Sequence, residues 1–272
     1  MPPPQTSARW QPAPVIRASF ALHGAAALAA LAHPPAWPWA LGAVAANHAL
    51  LTGLGLWPRS DWLGPNLLRL PAAAAARGEV ALTLDDGPDP EVTPRVLDLL
   101  DRRGAEASFF LIGERAAAHA ALARDIVRRG HSAENHSLRH SVLFSLYGIG
   151  RFRREIGAAQ AAIAAATGVA PRFFRSPAGL RNPLLDPALA PTGLTHVAWT
   201  RRGFDTVSRD AATVLRRLCR RLAAGDILLL HDGHAARTAA GVPLVLEVLP
   251  ALLDRLQAAR LQAVSLPMAM RP

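Results

Sequence analysis

Asp85 and Asp86 stand side by side after the apolar run Val80–Leu84 and are followed by Gly87. Adjacent carboxylates at a strand end point to opposite sides of the backbone, so one can bind a cation while its neighbour handles a proton. His136 and His140 lie downstream, four residues apart. If that segment is helical they share a face, and they complete a two-histidine, one-carboxylate set with positions open for water and substrate. Each half alone has a blander reading, since Asp-Asp-Gly is commonly a turn or a helix start. A zinc-protease arrangement is excluded, because it needs Glu directly after the first histidine and Ser137 stands there.

From about Gly78 onward the pattern that must position these residues alternates. Short apolar runs (80–84, 107–112, 173–174, 196–199, 227–230 and 263–266) are separated by amphipathic stretches at 93–103, 115–129, 151–166, 210–223 and 243–259. This βα repetition predicts an α/β fold of about seven strands. That number favours a closed or partly open parallel barrel, with a doubly wound sheet as the competing architecture. In a barrel, chemistry belongs at the carboxyl ends of the strands. Asp85-Asp86-Gly87, the two histidines, Arg175-Ser176-Pro177-Ala178-Gly179 and His231 all fall just after predicted strands. Asp89, Pro90 and Glu91 suit the start of the helix after the first strand. His131 reads as an inward strand residue and His234 as a loop residue.

Four segments in order, 83–87, 136–140, 175–179 and 229–232, carry a further signal. With them the chain from about Val80 to Pro267 resembles the polysaccharide deacetylase, or NodB-homology, family of carbohydrate esterases, and Ala107–Gly113 is similar to that family's second strand. The resemblance implies metal-dependent removal of an N-acyl, usually N-acetyl, group from an amino sugar within a distorted (β/α) barrel. Position by position it implies Asp85 as general base, and Asp86, His136 and His140 as metal ligands. It also implies Arg175 as the partner of the base and His231 as general acid. An amide is a poor electrophile, so a Lewis-acidic ion that polarises its carbonyl and acidifies water suits the reaction, and a histidine suits protonation of the leaving amine. The backbone N–H of Ala178 is the candidate oxyanion donor, although the family usually has an aromatic residue at that position. The family's Asp-Trp motif has no clear counterpart. The nearest segment, Trp199–Asp205, offers Asp205 to orient His231 and Trp199 as a wall of the site. Zinc is the first expectation for the ion, with cobalt, nickel or manganese accepted by the same donors.

The 272 residues carry a formal charge of +10, all of its positive part from Arg, with no Lys. The arginines come as scattered pairs without interleaved aromatics, which argues against a nucleic-acid footprint. The single cysteine, Cys219, allows neither an intrachain disulfide nor a cysteine metal cage.

Residues 1–60 have a different composition, with Arg17 the only charged side chain between Pro14 and Trp57. This reads as a hydrophobic helical hairpin anchoring the protein to the cytoplasmic membrane. Residues 61–77 read as a linker and 78–272 as the catalytic domain. Residues 37–57 approach the ~20 that a span requires, with Trp at both ends. A two-span hairpin leaves both termini in the cytoplasm, a lone signal-anchor exports the domain, and a hairpin buried against the domain is the alternative to both. Ala30-Leu31-Ala32 also resembles a signal-peptidase site. The expected partners are an amino-sugar glycan and the membrane. A lipid-linked sugar serving a deacylase or deformylase, and a catalytically silent carbohydrate-binding homologue, are the competing readings.

Overall fold

The computed structural model describes residues 10–272. Strand β1 (Glu79–Asp85) is buried along its whole length, as an almost unbroken apolar run requires at the centre of a parallel sheet. Around it lie β2 (Ser108–Leu111), β3 (Ser132–Asn135), β4 (Phe173–Phe174), β5 (Thr195–His196), β6 (Arg201–Arg202), β7 (Ile227–His231) and β8 (Gln262–Val264). They form one sheet in the order β5-β4-β3-β2-β1-β7-β6, with β8 also on β1. Every pairing is parallel.

Two irregularities distort the ring. Ala81 pairs with both Ile227 and Val264, so β8 lies on the β2 edge of β1. It takes the first residues of that edge, while Thr83–Asp85 pair with β2. The second irregularity involves β5 and β6, which are two ends of one stretch. Thr195 and His196 pair with β4, whereas Arg201 and Arg202 pair with β7. Residues 195–202 therefore reach both open sides of the sheet, and Leu67 pairs with Val197 between them. The single expected strand at 196–199 is thus divided, and among the described residues eight short strands stand where about seven were predicted.

Two helices precede the sheet, α1 (Pro14–Ala32) and α2 (Trp37–Leu56), followed by the short α3 (Ala72–Ala76). Only 11% of the most apolar window of either long helix is buried. Residues 61–77 run along the barrel, with Leu63, Leu70 and Ala74 buried. α4 (Thr93–Arg103) buries Val96, Leu97 and Leu100 on one stripe, and Gly104 closes it in the left-handed conformation at φ 57°. The expected helix over 115–129 is two, α5 (Gly113–Ala118) and α6 (Ala120–Arg128), broken where His119 leaves helical geometry. Then come α7 (Ile149–Thr167), α8 (Leu185–Leu189), α9 (Ala211–Cys219), α10 (Leu244–Ala258) and α11 (Leu266–Ala269). Asp210 caps α9 by accepting from the N–H groups of Ala212 and Thr213.

Candidate metal centre and active site

Four strands deliver their carboxyl ends to one cavity of about 230 Å³. Asp85 ends β1, His136 follows β3, Arg175 follows β4 and His231 ends β7. Asp85, Asp86, His136, His140, Ala178, Trp199 and His231 line the cavity, with Arg175 and Asp205 buried behind it.

Two local expectations are corrected. Strand alternation predicted Asp85 and Asp86 on opposite sides, but Asp86 has φ 72° and both carboxylates approach His136 Nε2, at 3.7 Å and 3.3 Å. Nor do His136 and His140 lie on a helix. They flank a loop in which Ser137 (φ 66°) and His140 (φ 51°) are left-handed, and Ser137 Oγ accepts the His140 N–H at 3.1 Å. Asn135 Oδ1 accepts the Ser137 N–H at 3.0 Å, while the N–H groups of Gly113 and Glu114 donate to the carbonyls of Ser137 and Leu138. Among the described residues, six of the eight non-glycine positions with positive φ, namely Asp86, Ser137, His140, Ala178, Phe204 and His234, sit in the loops around the cavity. Backbone strain of this kind concentrates where a site is over-determined by its surroundings.

The donor set fits a divalent ion. Ligand atoms of Asp86, His136 and His140 all lie within 4.8 Å of one another. Asp86 Oδ1 is buried without a hydrogen-bond donor, 3.3 Å from His136 Nε2 and 3.2 Å from His140 Nε2. Donors bound tetrahedrally at ~2.05 Å stand about 3.3 Å apart. His136 Nδ1 donates to the Arg175 carbonyl at 2.8 Å, which leaves the Nε2 lone pair facing Asp86. Burial works to raise the Asp86 pKa, but the neighbouring imidazoles of His136, His234 and His140 outweigh it and hold the carboxyl far below its ordinary range. Burial, with His136 alongside, lowers His140 to about 4, so its imidazole is neutral and free to coordinate at neutral pH.

Two buried charged pairs flank that set. Arg175, fully buried, donates to Asp85 Oδ1 at 2.6 Å and to Thr83 Oγ1 at 2.9 Å. Its guanidinium also donates to the Ala198 carbonyl and lies over the Phe110 ring at 4.1 Å. On the other side, His231 Nδ1 meets Asp205 Oδ1 at 3.0 Å, and Asp205 Oδ2 accepts the His231 N–H at 2.8 Å. Burial opposes the imidazolium, yet the charge and hydrogen bond of Asp205 prevail, with Asp85 and Asp86 behind it, and raise the His231 pKa above its ordinary value. Gly87 and Gly233 allow these loops to close. A Cβ at Gly87 would stand 2.3 Å from an Asp232 oxygen, and one at Gly233 would stand 2.2 Å from the Asp86 carbonyl.

The chain is similar to known proteins. The profile of the family described as polysaccharide deacetylase matches residues 72–197. A peptidoglycan-N-acetylglucosamine deacetylase of Bacillus cereus is 31% identical over 185 residues, covering 64% of this chain and 81% of the relative. The chain belongs to the polysaccharide deacetylase family. A chitooligosaccharide deacetylase of Sinorhizobium fredii is 33% identical over 199 residues, 70% of this chain and 92% of its own. Among solved structures, a family 4 carbohydrate esterase from Streptomyces lividans in complex with acetate superposes with a TM-score of 0.62 at 32% identity, covering 68% of this chain and 91% of that one.

Three residues of the site were not singled out for it from sequence. His234 stands with Nδ1 3.3 Å from Asp86 Oδ2, and Arg115 donates to the Asp86 carbonyl at 2.8 Å. Arg202 lines the cavity beside Trp199. Only His234 carried a signal, its place three residues after His231. His131 is buried against Phe109 just before β3.

Proposed function

We propose that this chain is a metal-dependent hydrolase that removes N-acetyl groups from amino-sugar glycans, with zinc the ion the donors suit first. The observation that carries the reading is the convergence of Asp86, His136 and His140 beside an arginine-clamped Asp85 on one side and an aspartate-held His231 on the other. The names of the relatives, which act on peptidoglycan and chitooligosaccharide, favour a glycan over a lipid-linked sugar.

A divalent ion held by those three residues would polarise the amide carbonyl and acidify the attacking water. Asp85 takes the water's proton on Oδ2, the oxygen facing His136, while Arg175 fixes the other oxygen. The Ala178 N–H, carried on a left-handed turn at the cavity wall, donates to the oxyanion that develops on the carbonyl. His231 gives its proton to the departing amine, and Asp205 holds the ring and stabilises its protonated form. Trp199, packed against Gly179, forms a wall for the sugar.

The two apolar helices support an anchor over residues 1–60 in the cytoplasmic membrane, with 78–272 as the catalytic domain. Their low burial argues against a hairpin folded away as core.

The test is acetate release from N-acetylglucosamine oligomers by the full-length protein in detergent, after chelation and again after zinc is restored. Activity should vanish on chelation and return with the metal. Equal acetate release before and after complete metal removal would refute the reading.

A further inference from the structure

Arg202 is a cation of the active-site cavity that the mechanism above leaves without work. Side chains alternate along a strand, and β6 shows it. Arg201 turns away to pair with Asp226 at 2.9 Å, and Arg202 turns into the cavity with Trp199, Leu229 and His231. Arg175 and Arg201 have carboxylate partners, whereas Arg202 has none among the described residues, and its Nε is buried without a hydrogen-bond acceptor. The guanidinium is held in place by aromatic faces, 5.3 Å from the centre of the Trp199 ring and 4.9 Å from that of Phe204. Phe204 keeps that position with a left-handed backbone, φ 61°. These aromatic faces attract the cation but supply it no hydrogen-bond acceptor. A donor withdrawn from water without a partner calls for an explanation, and a planar fork suits a carboxylate.

We propose that Arg202 is a specificity-determining residue that pairs with a carboxylate borne by the glycan, so that the preferred substrate is an acidic amino-sugar polymer and not a neutral one. The proposal rests on the deacetylase reading and goes beyond it, because neither the base, the acid nor the metal ligands distinguish a charged glycan from an uncharged one.

The experiment uses strands of alternating N-acetylglucosamine and N-acetylmuramic acid, stripped of peptide, and the same strands with their carboxylates converted to amides. Charge-assisted hydrogen bonds predict a kcat/KM for wild type roughly ten- to hundredfold higher on the acid form. Arg202→Gln brings that ratio close to one, and Arg202→Lys, which keeps charge without the fork, falls between. A ratio near one in wild type, or an unaltered preference in Arg202→Gln, overturns the proposal. Calorimetric binding of both glycans to zinc-loaded Asp85→Asn, with and without Arg202→Gln, reads the same ratio in the absence of turnover. Selective binding without any acetate release from wild type would sink the deacetylase reading and leave the assignment of Arg202 standing.

Discussion

The Arg175 carbonyl accepts from His136 Nδ1 at 2.8 Å while its guanidinium holds Asp85 Oδ1 at 2.6 Å, so one buried side chain and its backbone orient both a proposed ligand and the proposed base. Asp85 itself stands outside the three-ligand set. Asp85→Asn is therefore expected to retain one equivalent of zinc by atomic absorption while kcat falls by roughly 10²–10⁴-fold. Loss of the metal together with activity would make Asp85 a ligand. In the proposed reaction His231 acts only when protonated, and the protonated fraction declines as pH rises through its pKa. Asp205 raises that pKa, so Asp205→Asn should move the alkaline limb of the kcat–pH profile to lower pH, by about one pH unit or more. A limb that stays where it was would mean that another group supplies the proton.

At the scale of elements, β1 and β7 were legible because interior parallel strands are apolar on both faces. β3 was not, since Ser132–Asn135 contains no aliphatic residue larger than Ala133. Its Glu134 is buried, accepts the N–H groups of Arg172 and Phe173 at 2.8 Å, and is pushed up to about 7 by burial. β6, two arginines, carries no hydrophobic signal at all. The order of the site segments was visible in sequence, but the loop that joins His136 to His140 was not. Four-residue spacing suggests a helix face, and only the left-handed Ser137, anchored by Asn135, brings the imidazoles together instead. Arg202 and Arg115 were hidden for a related reason, because direction on a two-residue strand or a short helix is set by tertiary packing. Ser137→Ala removes the acceptor for the His140 N–H and should weaken zinc binding by about 10–100-fold in a competition titration. Unchanged affinity would show that the loop is held without that hydroxyl.

For the molecule as a whole, the hairpin and the residues flanking it are tied to the segment that follows β4. Trp10 Nε1 donates to Asp186 Oδ2 at 2.8 Å and the Arg181 N–H donates to the Gly55 carbonyl at 3.1 Å. Pro58 packs so close to Gly179 that a Cβ there would stand 2.7 Å away. A membrane anchor of two spans predicts that the full-length protein stays in the pellet when membranes are washed with alkaline carbonate. Release into the supernatant would instead favour a hairpin that packs as part of a soluble fold. The proposed metal centre also belongs to this scale, because its ligands would come from the residue that follows β1 and from the loop after β3, and loops after β4 and β7 hold them in place. The most direct test is a zinc titration of chelator-stripped wild type and His136→Ala. One ion per wild-type chain and an affinity at least tenfold weaker in the variant are expected. No stoichiometric zinc in wild type, or equal affinity in both proteins, would contradict the account.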